Sequence, residues 1–504
     1  MTQISFPQHA DVVVAGGGPA GTTIAGLLAR FGYHVVLLEK RQFPRHQIGE
    51  SLTPQILPIL DFLDIRQQVE AAGFLRMVGH TVCWGSAQPR TSYYSPDHMR
   101  YGFQVWREDF DTLLLSHARE VGVQAFEGLA ADSVTIKVGQ RVTACTREGN
   151  LTADFFVDAS GHAGILARQQ LRQRDNTYRT LALTGYWRDA AGPTGDNFAN
   201  TLLETYRNGL VWSVPLHNGL RNVTLLLDWH EGARIRRSGL TNFYLAELQQ
   251  SPYISGFLTS AWLSRSPSVF DATWYTASAF AGEQFLLVGD AGLFIDPLSS
   301  EGVHKAMASA ITGAIVINTI LKRPLMTPHA IRFYYESQQA TYETHYQQSL
   351  RYYGEEQRWP EQPFWQKRSL REGHGPEATQ SLIPNPQPPI RLPPPPGGNP
   401  QRVSTLRVAP EVTIEQRPVI EGSYIELRDV VIAPPYPRGV RFLEQVHLPR
   451  LLTIVRQRSA VGDIMTLYLA TTEGKNCSPE TVRQTLARLY QEKILASADV
   501  TETG

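Results

Sequence analysis

The chain has 504 residues, 42% of them hydrophobic, which is enough for two or three cores and predicts a multidomain protein. Basic and acidic side chains number 47 each, which excludes a global basic field for nucleic acid or anionic membrane, so small molecules or proteins are the expected partners. The three cysteines lie far apart without metal-ligand spacing, and no apolar signal segment precedes the first predicted strand, so a cytoplasmic location is expected.

A complete dinucleotide-binding pattern occupies residues 11–39. An apolar run ends in a Gly-x-Gly-x-x-Gly motif that starts at Gly16, and a helical segment, a second apolar run and Glu39 follow in order. The first glycine permits a tight turn, the second brings a pyrophosphate to the helix N-terminus, and the third lets the helix pack on the strand. The acidic residue is placed to bind a ribose hydroxyl. The predicted contacts are Gly16, Gly18, Ala20, Gly21, Glu39 and Lys40.

Further motifs indicate that the dinucleotide is FAD. Arg107 comes just before a helical segment, where its guanidinium is placed to pair with the phosphate or ribityl part of the cofactor. Asp290, in LLVGDAG, is placed to bind a ribityl hydroxyl. Pro297 to Gly302 precede a helix whose dipole would face the negative charge of reduced flavin.

The remaining periodicity indicates a second domain inserted into the first. Residues 178–229 alternate between apolar and polar positions, which predicts antiparallel strands. The chain then returns to a nucleotide-domain strand and to a helix near Gly302, whose apolar stretch is too short for a bilayer span. The predicted fold is α/β: a Rossmann-like FAD-binding domain, residues 1–175 and 280–350, with an interleaved antiparallel-sheet substrate domain, residues 176–279.

The C-terminal part predicts a helical extension and Pro-rich linker, residues 351–440, followed by a small mainly helical module, residues 441–504. Dense prolines between about Gly373 and Arg402 favour extended backbone and indicate the linker. The module has amphipathic segments, one with Ser478 as its predicted N-cap, and resembles a winged helix. It lacks a dense basic helix, so we expect docking or dimerisation rather than nucleic-acid binding.

Residues 10–350 resemble the two-domain FAD enzymes of the aromatic hydroxylase type and, more closely, the flavin-dependent halogenase branch of that superfamily. The closer match rests on IGESL (48–52), GFLRMVG (73–79), Trp84-Gly85, GLVWSVP (209–215) and the run 296–310. The resemblance implies that the Gly-Glu-Ser-Leu segment lies over the flavin. It also implies that reduced FAD and dioxygen give a C4a-hydroperoxide, which halogenases convert with halide into hypohalous acid that travels to a lysine. The implied cofactor contacts include Glu50, Ser51, Arg107, Asp290, Pro297, Gly302 and Val303.

Two departures from the halogenase pattern concern its chemistry. The family's lysine appears in Gly-Phe-x-x-Lys-x-Gly, and this chain has Met77 there, whose thioether can neither form a haloamine nor donate a proton. The family's halide step corresponds here to Glu301-Gly302, where a carboxylate would repel an anion by roughly 4 kcal/mol at an effective dielectric of about 20. The pocket implied by the resemblance is lined by Met77, His80, Trp212 and Pro215.

The sequence therefore predicts an FAD-dependent monooxygenase that hydroxylates an electron-rich aromatic group through the C4a-hydroperoxide, with Glu50, Glu301 and His304 as candidate proton-transfer residues. Two alternatives stay open: a flavin-dependent halogenase and a non-catalytic flavin-binding protein. The linker and terminal module favour a substrate borne by a peptide, such as peptidyl tryptophan, or by a carrier protein. Electrons come either from NAD(P)H bound transiently or from a separate flavin reductase. Lys305 is expected to pair with Glu301 on the helix.

Overall fold

The computed structural model describes residues 6–94, 101–137, 139–174, 179–368 and 404–498. The chain divides into two compact units, Met1–His374 and Gly375–Gly504. The segment predicted as a Pro-rich linker, 373–402, lies outside the described residues, and its linker role stays a prediction.

The first unit combines strands and helices along the chain. Its strands are β1 (His9–Ala15), β2 (Val35–Glu39), β3 (Ser51–Leu52), β4 (Leu75–Met77), β5 (Gly79–Cys83), β6 (Arg90–Tyr93), β7 (Gly102–Gln104), β8 (Gln124–Glu127), β9 (Ser133–Thr135), β10 (Val142–Thr146), β11 (Gly149–Asp158), β12 (Arg172–Arg174), β13 (Thr180–Arg188), β14 (Thr201–Tyr206), β15 (Gly209–Pro215), β16 (Leu220–Asp228), β17 (Trp262–Leu263), β18 (Ser268–Asp271), β19 (Tyr275–Ala277) and β20 (Phe285–Leu287). Its α-helices are α1 (Pro19–Arg30), α2 (Ile56–Phe62), α3 (Arg66–Ala71), α4 (Arg107–Glu120), α5 (Gly232–Ser238), α6 (Leu240–Leu248), α7 (Pro252–Gly256), α8 (Gly302–Lys322), α9 (Thr327–Glu355) and α10 (Pro363–Arg368).

Seven strands form the nucleotide-binding sheet, in the order β8-β2-β1-β11-β10-β9, with β20 paired to β11. β1 pairs in parallel with both β2 and β11. Val12, Val13 and Val14 are fully buried, as expected for central parallel strands covered on both faces. The predicted Rossmann-like α/β fold is confirmed.

Eight strands form the second sheet, in the order β17-β13-β16-β15-β14-β5-β6, with β18 paired to β13. The predicted boundaries, 176–279, are wrong at one edge, because β5 and β6 come from residues 79–93. β5 buries alternate side chains and joins β14 in parallel, with His80 beside Thr201. This non-local pairing leaves no local signal in the sequence, so only the other strands of the sheet were predictable.

A small three-stranded sheet, in the order β3-β7-β4, carries part of the IGESL segment. Ser51 lies opposite Gln104, and Met77 lies opposite Gly102. Gly102 and Gln104 are two residues apart on β7 and therefore share one face. The sheet thus places Ser51, Gln104 and Met77 on the same side.

Helix α8 begins at Gly302, as predicted. By length and composition alone it is apolar enough to cross a membrane, but 72% of its most apolar window is buried within the protein, as in a core helix. The predicted helical extension is present as α9, which ends at Glu355, and as α10.

The second unit contains β21 (Leu406–Val408), β22 (Thr413–Glu421), β23 (Tyr424–Ala433), β24 (Tyr436–Val440), β25 (Phe442–Leu443), β26 (Val446–His447), α11 (Leu448–Val455), α12 (Val461–Leu469), α13 (Pro479–Gln491) and β27 (Leu495–Ser497). The side chain of Ser478 accepts a hydrogen bond from the Thr481 amide and caps α13, as predicted.

The predicted division at residue 441 is wrong. Residues 406–440 form the strands β21 to β24 rather than a helical extension, and they contain several Val, Ile and Tyr residues, which favour strands. β21 pairs with β27, and Val431 shares one hydrophobic core with Leu448 and Leu486. These strands and the terminal helices therefore form a single module.

Candidate functional site

Glycines that no larger residue could replace shape the loop after β1. Gly16 has a φ of +113°, and a Cβ there would lie 2.3 Å from the carbonyl oxygen of Ala159. A Cβ on Gly21 would lie 1.9 Å from the carbonyl oxygen of Gly16. Gly18 immediately precedes α1, and Ala20 lies in its first turn. The amides at the helix N-terminus therefore lie next to residues with little or no side chain, so a ligand can approach them closely. This geometry fits the pyrophosphate of a dinucleotide.

Glu39 is fixed at the end of β2 by backbone amides. Its Oε2 accepts from the Gly17 amide at 2.8 Å, and its Oε1 accepts from the Arg41 amide at 3.0 Å. Each carboxylate oxygen has a second lone pair, which leaves capacity for the predicted ribose hydroxyl. Lys40 is exposed, and its predicted contact with the cofactor stays a prediction.

Arg45 is a cation beside the glycine loop that sequence reasoning missed. Its Nη2 lies 3.4 Å from the position that a Cβ on Gly18 would take. Its Nη1 pairs with Asp111 at 3.2 Å, and its buried Nε lies 3.7 Å from Glu39 Oε2, an ion pair without a hydrogen bond. A guanidinium beside an anion-binding loop suits a phosphate oxygen. Arg45 stands in RQFPRHQ, where no motif spacing marks it.

Arg107 makes several hydrogen bonds within the protein, and its predicted pairing with the cofactor stays a prediction. Its Nε and Nη2 donate to the two oxygens of Asp111 at 2.8 and 3.0 Å, and its Nη1 donates to the carbonyl oxygens of Ile48 and Gly49. The i,i+4 spacing of Arg107 and Asp111 on α4 brings the two side chains together. Arg107 therefore holds the IGESL loop in place.

Asp290 pairs with Lys305, which corrects the expected pair between Lys305 and Glu301. Lys305 Nζ donates to Asp290 Oδ1 at 2.7 Å and to the carbonyl oxygen of Leu293. Glu301 is the residue before α8, so its side chain does not follow the helix face that Lys305 occupies. Asp290 remains partly exposed, and its predicted contact with a ribityl hydroxyl stays a prediction.

Glu301 and His304 contact each other at the start of α8. Glu301 Oε2 lies 2.9 Å from His304 Nδ1, and Glu301 Oε1 accepts from the Thr53 hydroxyl at 3.1 Å. His345, on α9, has a buried Nδ1 without a partner, and burial lowers its pKa to about 4. The adjoining Pro297, Gly302 and Val303 frame this helix start, and their predicted cofactor contacts stay predictions.

Met77 is buried, and three polar groups surround its sulfur. Gln104 Nε2 lies 3.2 Å from Sδ, and the hydroxyls of Tyr94 and Thr201 each lie 3.8 Å from it. Gln104 also donates to Thr201 Oγ1 at 2.9 Å and accepts from the Ser51 hydroxyl at 2.7 Å. A network of neutral polar groups therefore occupies the place where the resemblance puts a lysine.

Tyr94 connects the Met77 and Glu301 regions. Burial raises the pKa of Tyr94 to about 12, and the nearby Glu301 carboxylate adds to this rise. The predicted residues Met77, Glu301 and His304 thus belong to one neighbourhood, which also contains Thr53 and Tyr94.

Glu50 faces the second sheet. Its Oε1 accepts from the Tyr186 hydroxyl at 2.5 Å, and Asn222 Nδ2 lies 3.4 Å from the same oxygen. Burial raises the pKa of Glu50, although the Tyr186 hydrogen bond opposes this rise. Its described contacts favour a role in anchoring the IGESL loop to the sheet over the predicted proton transfer.

The predicted pocket residues do not line one cavity. Trp212 packs beside Tyr186 and Val214, on the sheet face that also holds Glu50. Pro215 is three residues further along β15 and therefore faces the opposite side of the sheet. His80 is exposed on β5, and its ring lies 6.3 Å from that of Tyr94. The period of two in a strand would have separated Trp212 from Pro215 already in the sequence.

Comparisons with known proteins agree with this site. The profile of the tryptophan halogenase family matches residues 11–96 and 84–385. The chain is 34% identical over 356 residues to tryptophan 2-halogenase of Chondromyces crocatus, which covers 68% of this chain and 67% of that protein. It is 34% identical over 371 residues to flavin-dependent halogenase armH4 of Armillaria mellea, which covers 65% of this chain and 69% of that protein.

Solved structures extend the likeness in fold. The myxobacterial chondrochloren halogenase CndH has a TM-score of 0.69 and 28% identity, covering 73% of this chain and 87% of its own. The flavin-dependent halogenase CmlS has a TM-score of 0.79 and 24% identity, covering 99% and 98%. The peptidyl tryptophan dihydroxylase QhpG has a TM-score of 0.69 and 24% identity, covering 96% and 99%. At this identity the last two show the fold alone.

Proposed function

The chain belongs to the tryptophan halogenase family, and we propose that within this family it is an FAD-dependent monooxygenase that hydroxylates an electron-rich aromatic group. Its relatives are flavin-dependent enzymes, and its nucleotide loop fits FAD, so the protein is an FAD-dependent oxidoreductase. The observation that carries the finer proposal is the buried thioether of Met77 at the family's lysine position.

Each part of FAD has a candidate binding group in the first unit. The loop from Gly16 to Gly21 and the cation of Arg45 suit the pyrophosphate, and Glu39 suits a ribose. Asp290 keeps one carboxylate oxygen beyond its bond to Lys305 and suits a ribityl hydroxyl. When bound, reduced FAD supplies the electrons that activate dioxygen.

The Met77 site does not suit a halogen relay. A lysine relay needs an amine that forms a nitrogen–halogen bond and returns a proton, and a thioether offers neither. Around Met77, the described donors are the Gln104 amide and the hydroxyls of Tyr94 and Thr201. These neutral groups offer neither the amine nor the positive charge of a lysine.

Glu301 suits proton removal better than halide binding. Its carboxylate stands one residue before α8, where the N-terminal dipole stabilises negative charge. Thr53 and His304 fix its two oxygens, so it is oriented to accept a proton from a phenol or indole and pass it to His304. The same charge repels a halide ion at this step.

Halogenation is the second candidate, and the comparisons support it more directly than hydroxylation. Tryptophan 2-halogenase, armH4 and CndH are all halogenases, whereas QhpG shares only the fold at 24% identity. The two candidates differ in the fate of bromide and dioxygen, so one assay separates them.

The test supplies the protein with FAD, NADH, a flavin reductase and ¹⁸O₂. Tryptophan, a phenol and a tryptophan-containing peptide serve as substrates, each with and without bromide. The masses of the products are measured by mass spectrometry. Hydroxylation gives an ¹⁸O-labelled product whose yield ignores bromide. A brominated product, formed only with bromide, would overturn the proposal in favour of halogenation.

We further propose that the substrate is borne by a peptide or a carrier protein. The full-length fold likeness to QhpG, which acts on peptidyl tryptophan, and the presence of a second compact unit support this choice. Truncation at residue 397 removes that unit and should lower turnover of a tethered substrate while FAD binding survives. Equal turnover of free and tethered substrates by both forms would contradict it.

A further inference from the structure

Lys305 is a buried cation in the first turn of α8. Its side chain is 2% exposed, and its Nζ donates to Asp290 Oδ1 at 2.7 Å and to the carbonyl oxygen of Leu293. Among the described residues, Asp290 supplies the only carboxylate within ion-pair distance of this ammonium. A buried ammonium is costly without a partner, so the pair holds both side chains in place.

The pair gives the Asp290 carboxylate a fixed orientation. Lys305 occupies Oδ1, whereas no donor among the described residues binds Oδ2. The side chain of Asp290 is 36% exposed, so the carboxylate is within reach of a ligand. A carboxylate oxygen is an acceptor, and a hydroxyl of a bound molecule is a matching donor. The contact with Lys305 therefore leaves Oδ2 as the oxygen that can accept from a ligand.

The turn that carries Asp290 lies beside the nucleotide loop. A Cβ on Gly289 would lie only 3.0 Å from the Cβ of Ala20, which belongs to the first turn of α1. Asp290 thus directly follows a residue in contact with the helix start that suits the pyrophosphate. The next part of FAD beyond the pyrophosphate is the ribityl chain, which carries hydroxyl groups.

The backbone of this turn is held by groups other than Lys305. The Gly289 amide donates to the Ser309 hydroxyl at 2.9 Å, and the Tyr275 hydroxyl donates to the carbonyl oxygen of Asp290 at 2.6 Å. Tyr275 is fully buried, so its ring is itself fixed. Lys305 therefore contributes chiefly to the orientation of the Asp290 side chain, not to the path of the backbone.

We propose that Lys305 is a positioning residue for FAD and acts through Asp290. By holding Oδ1 before the cofactor binds, Lys305 leaves Oδ2 ready to accept from a ribityl hydroxyl. A carboxylate that is fixed in advance loses less side-chain entropy on binding than a freely rotating one. The inference rests on the proposed function only in requiring that the protein binds FAD, and it holds for hydroxylation and halogenation alike.

The experiment measures binding of the cofactor rather than turnover. The full chain, freed of flavin, is titrated with FAD, and the change in flavin fluorescence gives Kd. Lys305→Met replaces the cation by an apolar side chain of similar length. Lys322→Met makes the same change at the exposed end of the same helix and is the matched control. Competition with ADP, which has the adenosine and two phosphates but no ribityl chain, tests the nucleotide loop separately.

Lys305→Met should raise the Kd for FAD by about fivefold, because the freed carboxylate must be ordered when the cofactor binds. The affinity for ADP should stay at the native value, since the nucleotide loop is unchanged. Lys322→Met should bind both molecules as the native chain does. An unchanged Kd for FAD in Lys305→Met, or an equal loss of affinity for FAD and ADP, would overturn the inference.

A double-mutant cycle tests whether Lys305 acts through Asp290. In an Asp290→Ala background, Lys305→Met should cause no further loss of affinity for FAD. A similar loss in that background would show that Lys305 acts without Asp290 and would contradict the inference. If Asp290→Ala does not fold, the comparison of FAD with ADP in Lys305→Met decides alone.

The inference and the proposed function fail in different ways. If Lys305→Met binds FAD as tightly as the native chain and the native enzyme forms product, only the inference is wrong. If the native chain binds no FAD, both are wrong.

Discussion

The hydroxyl of Thr53 donates a 3.1 Å hydrogen bond to Oε1 of Glu301. This bond joins the residue that follows the IGESL segment to the residue before α8, although 248 residues separate them. Two of the regions that carry the resemblance to halogenases thus meet through one carboxylate. Glu301 Oε2 also lies 2.9 Å from His304 Nδ1. The contacts with Thr53 and His304 together orient Glu301, which is the strongest candidate proton acceptor.

Glu301→Gln should retain the acceptor for Thr53 but lose the negative charge and the ability to take a proton. We expect kcat to fall by about 100-fold, because general-base catalysis contributes roughly that factor. Steady-state turnover of the best aromatic substrate measures the change. Glu283→Gln, at an exposed position, is the matched control and should keep full activity. Undiminished turnover in Glu301→Gln would remove this residue from the mechanism.

Met77→Lys restores the lysine that the halogenase pattern has at this position. Among the described contacts, a buried ammonium there meets one amide and two hydroxyls but no carboxylate to balance its charge, so the free energy of unfolding should fall by about 2 kcal/mol. Hydroxylation should also fall, because the charge disrupts the Gln104 network. Urea denaturation and product analysis measure both effects, and Met77→Leu is the control of similar volume. Bromination by Met77→Lys combined with Glu301→Thr would show that these two positions separate the activities. A Met77→Lys protein as stable as Met77→Leu would contradict the described surroundings.

The nucleotide site was predictable because its signals are local. Gly16, Gly18 and Gly21 act within one turn, and Glu39 ends the next strand, so motif spacing alone places all four. The Arg107–Asp111 pair was equally accessible from its i,i+4 spacing, but the motif-based interpretation assigned the guanidinium to the cofactor instead.

The chemical neighbourhood was only partly predictable, because it depends on contacts between distant segments. Met77 and Glu301 were identified by comparison with a family pattern, yet nothing in the sequence shows that Tyr94 links them. Likewise, Lys305 pairs with Asp290 rather than Glu301, because the turn after β20 brings Asp290 close to α8 in the folded protein. Strand β5 joined the second sheet through a parallel pairing with β14, which local periodicity does not encode.

Arg107→Met should destabilise the first unit because it removes a cation partner of the buried Asp111 carboxylate. Asp111 is fully buried and would keep only Arg45, at 3.2 Å, as a cation partner. Breaking a buried pair costs about 3 kcal/mol, and urea denaturation measures the loss. The affinity for FAD should fall as well, because Ile48 and Gly49 lose their donor. Adding Asp111→Asn should recover part of the stability. If Arg107→Met alone is as stable as the native chain, this role for Arg107 is contradicted.

His345 should make the protein sensitive to acid. Burial is the largest cause that lowers its pKa from 6.5 to about 4, Lys305 and His304 act in the same direction, and Glu301 opposes them. Because the folded state disfavours the imidazolium, the contribution to stability is present above pH 6.5 and is lost as the pH falls toward about 4. The loss is at most about 3 kcal/mol, since each pKa unit corresponds to about 1.4 kcal/mol.

Unfolding free energies between pH 7 and pH 4 measure this effect as the difference between native chain and variant. His345→Gln removes the titrating group, so its stability should fall less steeply with acid than that of the native chain. His329→Gln makes the same substitution on the same helix α9 and is the matched control. If His345→Gln and the native chain lose stability in parallel, His345 is protonated as easily in the folded protein as in the unfolded one. Its unpartnered Nδ1 must then be reached by water.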